Sequence, residues 1–129
     1  LAPDKYPRLV NPYDPKQDLD RRARSYLHAN CSQCHVGAGG GNSQMYLEFT
    51  TAAEKTRLVD VRPLHDTYGL HDARLIAPGS PERSVLLHRM SHRDRGHMPP
   101  LATLVVDRDA VKLMGEWIRG MRVRTKQEE

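Results

Sequence analysis

The sequence predicts an all-α domain with long loops, and three observations lead to that expectation. Three stretches repeat their apolar residues at helical spacing. Proline and glycine gather between those stretches rather than inside them. Only Met45–Phe49 reads as a short strand. The length of 129 residues favours one domain. Within it, 1–17 reads as an extended arm or the end of a linker, 18–122 as the domain proper, and 123–129 as a polar tail.

The elements follow in chain order. Pro3, Pro7, Pro12 and Pro15 deny residues 1–17 a helix or a central strand. Over 18–33, Leu19, Ala23, Tyr26 and Leu27 fall on one helical face, with Asp18 placed to cap the start. Gly37, Gly39, Gly40 and Gly41 then end the helix. Residues 50–78 are mixed, with a turn of helix near Ala52–Arg57. Pro78-Gly79 marks a turn. Ser80 before Pro81 reads as an N-cap followed by proline at the first helical position. The helix it opens runs to about Ser91, with Val85, Leu86 and Met90 inward. Gly96, Pro99 and Pro100 make 93–100 a loop. The last helix is the clearest: Asp107 caps it, Asp109 suits its positive end, and Ala110, Met114, Trp117, Ile118 and Met121 form one stripe.

Composition narrows the function. One Phe, one Trp and five Tyr are a thin apolar supply for a single core, so something else is expected to fill its centre. The net charge is +4, from 20 Lys+Arg against 16 Asp+Glu. Arg89, Arg93 and Arg95 lie close together, and Arg122, Arg124 and Lys126 sit in the tail, but no aromatics interleave with them. A nucleic-acid partner is therefore not expected, while a modest preference for acidic redox partners is. No run of about 18 apolar residues exists, so no transmembrane segment is expected in this chain. No signal peptide is present and the first residue is Leu1, which reads as an excised or processed chain.

The strongest motif is Cys31-Ser-Gln-Cys34-His35. Two thiols at this spacing can each form a thioether with a haem vinyl group, and the adjacent His35 then faces the iron. Haem c is the cofactor this pattern implies. Two other readings stay open. A redox dithiol uses C-x-x-C but needs a βαβ setting, and here a helix enters the motif. A zinc site could join His88 and His92 to the two cysteines, although the stretch between Cys34 and His88 is far longer than a zinc finger allows.

The sixth iron ligand is expected to be Met98, in Arg95-Gly96-His97-Met98-Pro99-Pro100. Methionine usually fills a helical core face, as Met45, Met90, Met114 and Met121 can, but Met98 has no such face. The two prolines would hold its thioether in place. His97 is the main rival, and an open site the other. His35 should give its second ring N–H to a backbone carbonyl. Arg74, Arg83, Arg93 or Arg95 could pair with haem propionates, though each also reads as a solvated charge. His65-Asp66 and His71-Asp72 read as hydrogen-bonding loop residues.

With these residues placed, the chain resembles a class I cytochrome c over about residues 18–121. Three features carry the likeness: a helix ending in Cys31–His35, the Gly-His-Met98-Pro-Pro loop, and a final amphipathic helix with Trp117. The resemblance implies a cytochrome c-like fold with haem in the core. It also implies that the N- and C-terminal helices cross, with Ala23 and Leu27 meeting Met114 and Trp117. Residues 36–76 depart from the simple class I pattern. The strings Arg24-Ser-Tyr-Leu-His-Ala-Asn-Cys31 and Ala77-Pro-Gly-Ser-Pro-Glu-Arg-Ser-Val-Leu-Leu are similar to cytochrome c domains fused to larger secreted bacterial proteins, some with β-propeller dehydrogenase-like modules.

The expectation is a monohaem electron carrier rather than an enzyme, with Cys31, Cys34, His35 and Met98 holding haem c and the last two ligating iron. The partners implied are redox proteins or a fused dehydrogenase-like domain, and the location periplasmic or extracytoplasmic. The alternative is a haem enzyme or ligand sensor with an open or labile sixth position.

Overall fold

The computed structural model describes residues 2–123. The described chain is helical, with three α-helices and short 3-10 turns joined by long loops. Its only strand-like pairings are two isolated bridges, Val59 with Ile76 and Arg74 with Ser84. The tail expected at 123–129 lies outside the described residues except for Val123. The chain divides into two compact units, residues 1–57 and 58–129.

The first unit is built on α1, Leu19–Cys31. Asp18 caps it as expected: its carboxylate accepts from the Arg21 amide at 3.0 Å. Ala23, Tyr26 and Leu27 are buried and Leu19 is half-buried. Ser25 is buried too, and its Oγ accepts from the Val10 amide at 3.0 Å. The proline-rich arm is therefore fastened along α1. Arg22 Nε donates to the Pro12 carbonyl at 2.8 Å, and Arg21 donates to that of Arg8 at 3.2 Å. A 3-10 turn at Pro3–Lys5 is the only helical element in the arm.

The segment Met45–Phe49 is not a strand. Its amides go to separate partners, Tyr46 to the Thr56 carbonyl and Leu47 to the His35 carbonyl, each at 2.9 Å. With no parallel or antiparallel neighbour, alternating residues there have no ladder to join. The helical turn expected near Ala52–Arg57 is a 3-10 turn at Ala53–Lys55.

The second unit holds α2, Val85–Met90, and α3, Arg108–Arg119. The single helix expected from Ser80 to Ser91 is instead a 3-10 turn, Pro81–Arg83, followed by α2. Ser84 breaks it, because the backbone on either side is engaged elsewhere. The Arg83 carbonyl accepts from the Arg74 amide at 3.0 Å, and the Val85 amide donates to the Arg74 carbonyl at 2.9 Å. Ser80 makes no side-chain cap. Ser84, fully buried, takes the polar role, its Oγ accepting from the Ala77 amide and donating to the Ser80 carbonyl. Val85 and Met90 are buried as expected, and Leu86 is half-buried.

In α3, Asp107 accepts from the Ala110 amide at 3.0 Å. Ala110, Met114, Trp117 and Ile118 are buried, as the stripe predicts, while Met121 lies past the helix end and is half-buried. Leu113 and Gly115 are buried as well, widening the stripe toward α2, whose Leu87 approaches Gly115. On this scaffold the chain from 93 to 106 runs as loop.

Candidate functional site

Cys31 is the last residue of α1, and the helix does not stop abruptly behind it. Ser32 keeps helical backbone angles, and the amides of Cys34 and His35 both donate to the Cys31 carbonyl, at 3.2 and 3.0 Å. Both thiols and the imidazole are thereby wound onto one turn at the C-terminal end of α1. Both cysteines are free thiols, Cys31 half-buried and Cys34 exposed.

Burial pushes the Cys31 thiol up to about 11, with Cys34 adding to the effect. A thiol–disulfide exchange enzyme needs the reverse, a thiolate made stable at neutral pH. Position agrees with this. The last carbonyls of a helix carry partial negative charge, which opposes a thiolate placed beside them. Burial and the helix end thus both disfavour a Cys31 thiolate. Among the described residues, no three His, Cys, Asp or Glu side chains gather as a metal-ion site.

The His35 ring is held from several directions. Its Nδ1 lies 3.4 Å from the Ser43 carbonyl, at the long end of hydrogen bonding. In the tautomer that donates from Nδ1, the Nε2 lone pair is the one available to a metal. Its backbone carbonyl accepts from the Leu47 amide. Sequence reasoning expected a carbonyl partner for the ring without identifying it, because the partner sits eight residues away on a loop of no regular pattern.

The glycines after the motif have a specific steric role. A Cβ on Gly41 would stand 2.8 Å from His35 Nδ1 and 2.9 Å from its Cε1. A Cβ on Gly39 would collide with the Cys34 carbonyl. The loop therefore folds back against the motif only because these positions lack side chains. Gly40 meets nothing. The Gly41→Ala change is expected to push the His35 ring aside and cost about 1–3 kcal/mol, as overpacking does. Gly40→Ala should be near neutral. Urea unfolding of the two variants side by side checks this, and equal midpoints would contradict the steric role assigned to Gly41.

Sequence reasoning missed the brace on the other side of α1. Arg24 donates to the Phe49 and Thr51 carbonyls, and its guanidinium lies over the Phe49 ring at 5.8 Å. His28 Nδ1 accepts from the Phe49 amide at 3.0 Å. These two residues are four apart, so they share a face of α1 and hold the 49–51 loop along it. The signal was a polar i, i+4 pair, which the other polar residues of α1 obscured.

Met98 is placed by the second unit. Its amide donates to the Arg89 carbonyl at 2.9 Å, which ties the loop to the end of α2. Arg93 donates to the Met98 carbonyl at 3.1 Å, the Met90 carbonyl at 2.8 Å and Thr103 Oγ1 at 2.8 Å. Arg89 Nε donates to the Gly96 carbonyl at 2.7 Å. Gly96 takes a φ of +84°, and a Cβ there would lie 2.6 Å from the Tyr68 ring. Met98 thus sits, half-buried, in a loop outside any helix, and that loop is fixed through its backbone. His97 Nδ1 lies 2.9 Å from the Pro99 carbonyl, so that ring is partly engaged within the loop. Met90 and Met114 are buried in the core of the second unit, which accounts for them without a ligand role.

The arginines expected near propionates differ among themselves. Arg74 pairs with Asp60 and Asp72 at 3.1 and 2.8 Å, and Arg83 with Asp72 at 2.6 Å. The Arg74 hydrogen bond is the main cause holding the Asp72 carboxyl below its ordinary range. These two arginines already have carboxylate partners. Arg93 acts on the Met98 loop, and Arg95 is exposed. Asp66 accepts from the Tyr68 amide, and His65 and His71 are exposed loop residues.

The donor set at Cys31, Cys34 and His35 fits a covalently attached haem c: two unpaired thiols at vinyl spacing, and a ring oriented from its far nitrogen. No family model, curated protein or solved structure matches the chain.

Proposed function

We propose that this chain is an electron-transfer domain holding one haem c through thioethers to Cys31 and Cys34, with His35 and Met98 as axial ligands. The observation that carries the reading is the Cys31–His35 turn itself, with free thiols, a raised Cys31 and a carbonyl-facing His35 Nδ1. The group, when bound, supplies a one-electron Fe(III)/Fe(II) couple.

The chain's residues set the terms of that couple. His35 donates from Nδ1 toward Ser43, which fixes its ring and strengthens Nε2 as a donor. Met98 offers a soft thioether that favours reduced iron. Arg93, through Met98 and Met90 carbonyls, keeps the Met98 loop against α2. His35 and Met98, by holding the iron together, would leave no position on it for a substrate, and that suits a carrier rather than an enzyme. The fold proposed is cytochrome c-like, and the chain serves as a module of a larger redox protein matured outside the cytoplasm. No helix among the described residues is long and apolar enough to cross a membrane.

The test is optical. Expressed with a secretion signal alongside a haem c assembly system, the chain should show a six-coordinate low-spin spectrum. A high-spin spectrum would shift the reading to a haem enzyme or ligand sensor. The fold is also expected to lean on the group, because binding only to the folded state stabilises it. Chain made without haem should show markedly less helix by circular dichroism. A cooperative thermal transition of near-holoprotein height would contradict this.

A further inference from the structure

Buried polar atoms in folded proteins nearly always have partners. Both ring nitrogens of His92 are sealed from solvent and have none among the described residues. His88, the nearest imidazole, has no ring hydrogen bond or ion pair recorded either; its ring contacts are to Tyr68 and His92.

The backbone explains why they meet. His88 sits in the last turn of α2, and Ser91 keeps helical angles, φ −84° and ψ −6°. His92 therefore follows His88 by about one full turn, which puts the two on one face. The ring centroids are 4.7 Å apart and the planes cross at 63°. Two imidazoles bound at right angles to one ion, with metal–nitrogen bonds of about 2 Å, would have centroids roughly 4.5–5 Å apart. The 4.7 Å spacing falls within that range, which ordinary edge-to-face ring packing also shares; the unpartnered His92 nitrogens are what favour an ion. Tyr68 flanks His88 on its other side at 5.3 Å.

We propose that His88 and His92 form a two-imidazole site for a divalent transition-metal ion, Cu²⁺ in preference to Ni²⁺ or Zn²⁺. Imidazole suits all three ions, and copper binds nitrogen donors most tightly in that series. Burial, then His92, lowers the basicity of His88, opposed by Asp66. That keeps the ring neutral and able to ligate. The site uses none of Cys31, Cys34, His35 and Met98, and the proposal does not depend on the haem reading.

The test uses the full chain as isolated, oxidised, with any free thiol alkylated so that cysteine does not compete. Cu²⁺ is titrated in and its electron paramagnetic resonance recorded. Wild type should bind one ion with a two-nitrogen signature. His88→Gln and His92→Gln should each weaken binding about tenfold, the equivalent of about 1.4 kcal/mol. A His65→Ala, His71→Ala double variant should bind as wild type. Wild-type affinity in His92→Gln would overturn the proposal. If the glutamine variants do not fold, diethyl pyrocarbonate labelling of wild type decides. Protection of His88 by Cu²⁺ supports the site, and unchanged labelling of His88 overturns it.

Discussion

Replacing both Cys31 and Cys34 with alanine is expected to remove nearly all haem from the purified chain. The two thiols lie on the turn that closes α1, four residues apart from first thiol to imidazole, and nothing else in that turn can bond to a vinyl group. Without thioethers, coordination by His35 and Met98 alone would have to retain the group, which leaves it free to exchange. The single variants should separate in degree. Cys31 is half-buried at the helix end, whereas Cys34 is exposed one turn later, so Cys31→Ala should also disturb packing. Absorbance in the Soret region per mole of chain measures the loss. Undiminished haem in the double variant would mean that the motif is not the attachment site.

Met98→Ala should change the spectrum and the potential together. The methionine sits in a loop tied to Arg89 and Arg93, outside any helix, and the proposed ligation gives its thioether a role there. Its loss should abolish the long-wavelength sulfur-to-ferric-iron band. The potential should fall by tenths of a volt, within the roughly 0.8 V that axial ligands span. Met98→His should restore a low-spin haem at a lower potential than wild type. Met90→Ala is the control. Met90 is 7% exposed in the core, so truncation should cost about 2–5 kcal/mol and leave the band in place. If Met98→Ala keeps the band, another methionine is the ligand. If wild type lacks it and is high-spin, the carrier reading gives way to an enzyme or sensor.

The elements whose signals are local were legible in the sequence. Asp18 and Asp107 cap α1 and α3 because a cap needs only a side chain three residues before an open amide. The stripes on those helices follow from spacing alone. The errors came where distant backbone competes. Ser80-Pro81 carries a sound helix start, yet Arg74 takes the backbone groups around Ser84 and splits the helix. Met45–Phe49 has strand-like residues but no neighbour with which to pair. At the candidate site, Cys31-x-x-Cys34-His35 was legible as one cluster because three side chains so close in sequence fall on the turn that ends α1. Their supports were not. Ser43 beside His35, Arg24 and His28 on α1, and Arg93 at the Met98 loop act over three to twenty-seven residues, onto loop backbone that has no periodic pattern of its own.

Acid extraction, read together with the intact mass, tests the central claim most directly. The chain matured with haem is unfolded in acid, shaken with organic solvent, and the polypeptide is then weighed. Two thioethers predict that colour stays with the polypeptide, that its mass is the chain plus one haem, and that neither Cys31 nor Cys34 takes up an alkylating reagent. Haem in the solvent layer, with a bare chain carrying two alkylatable thiols, would contradict it.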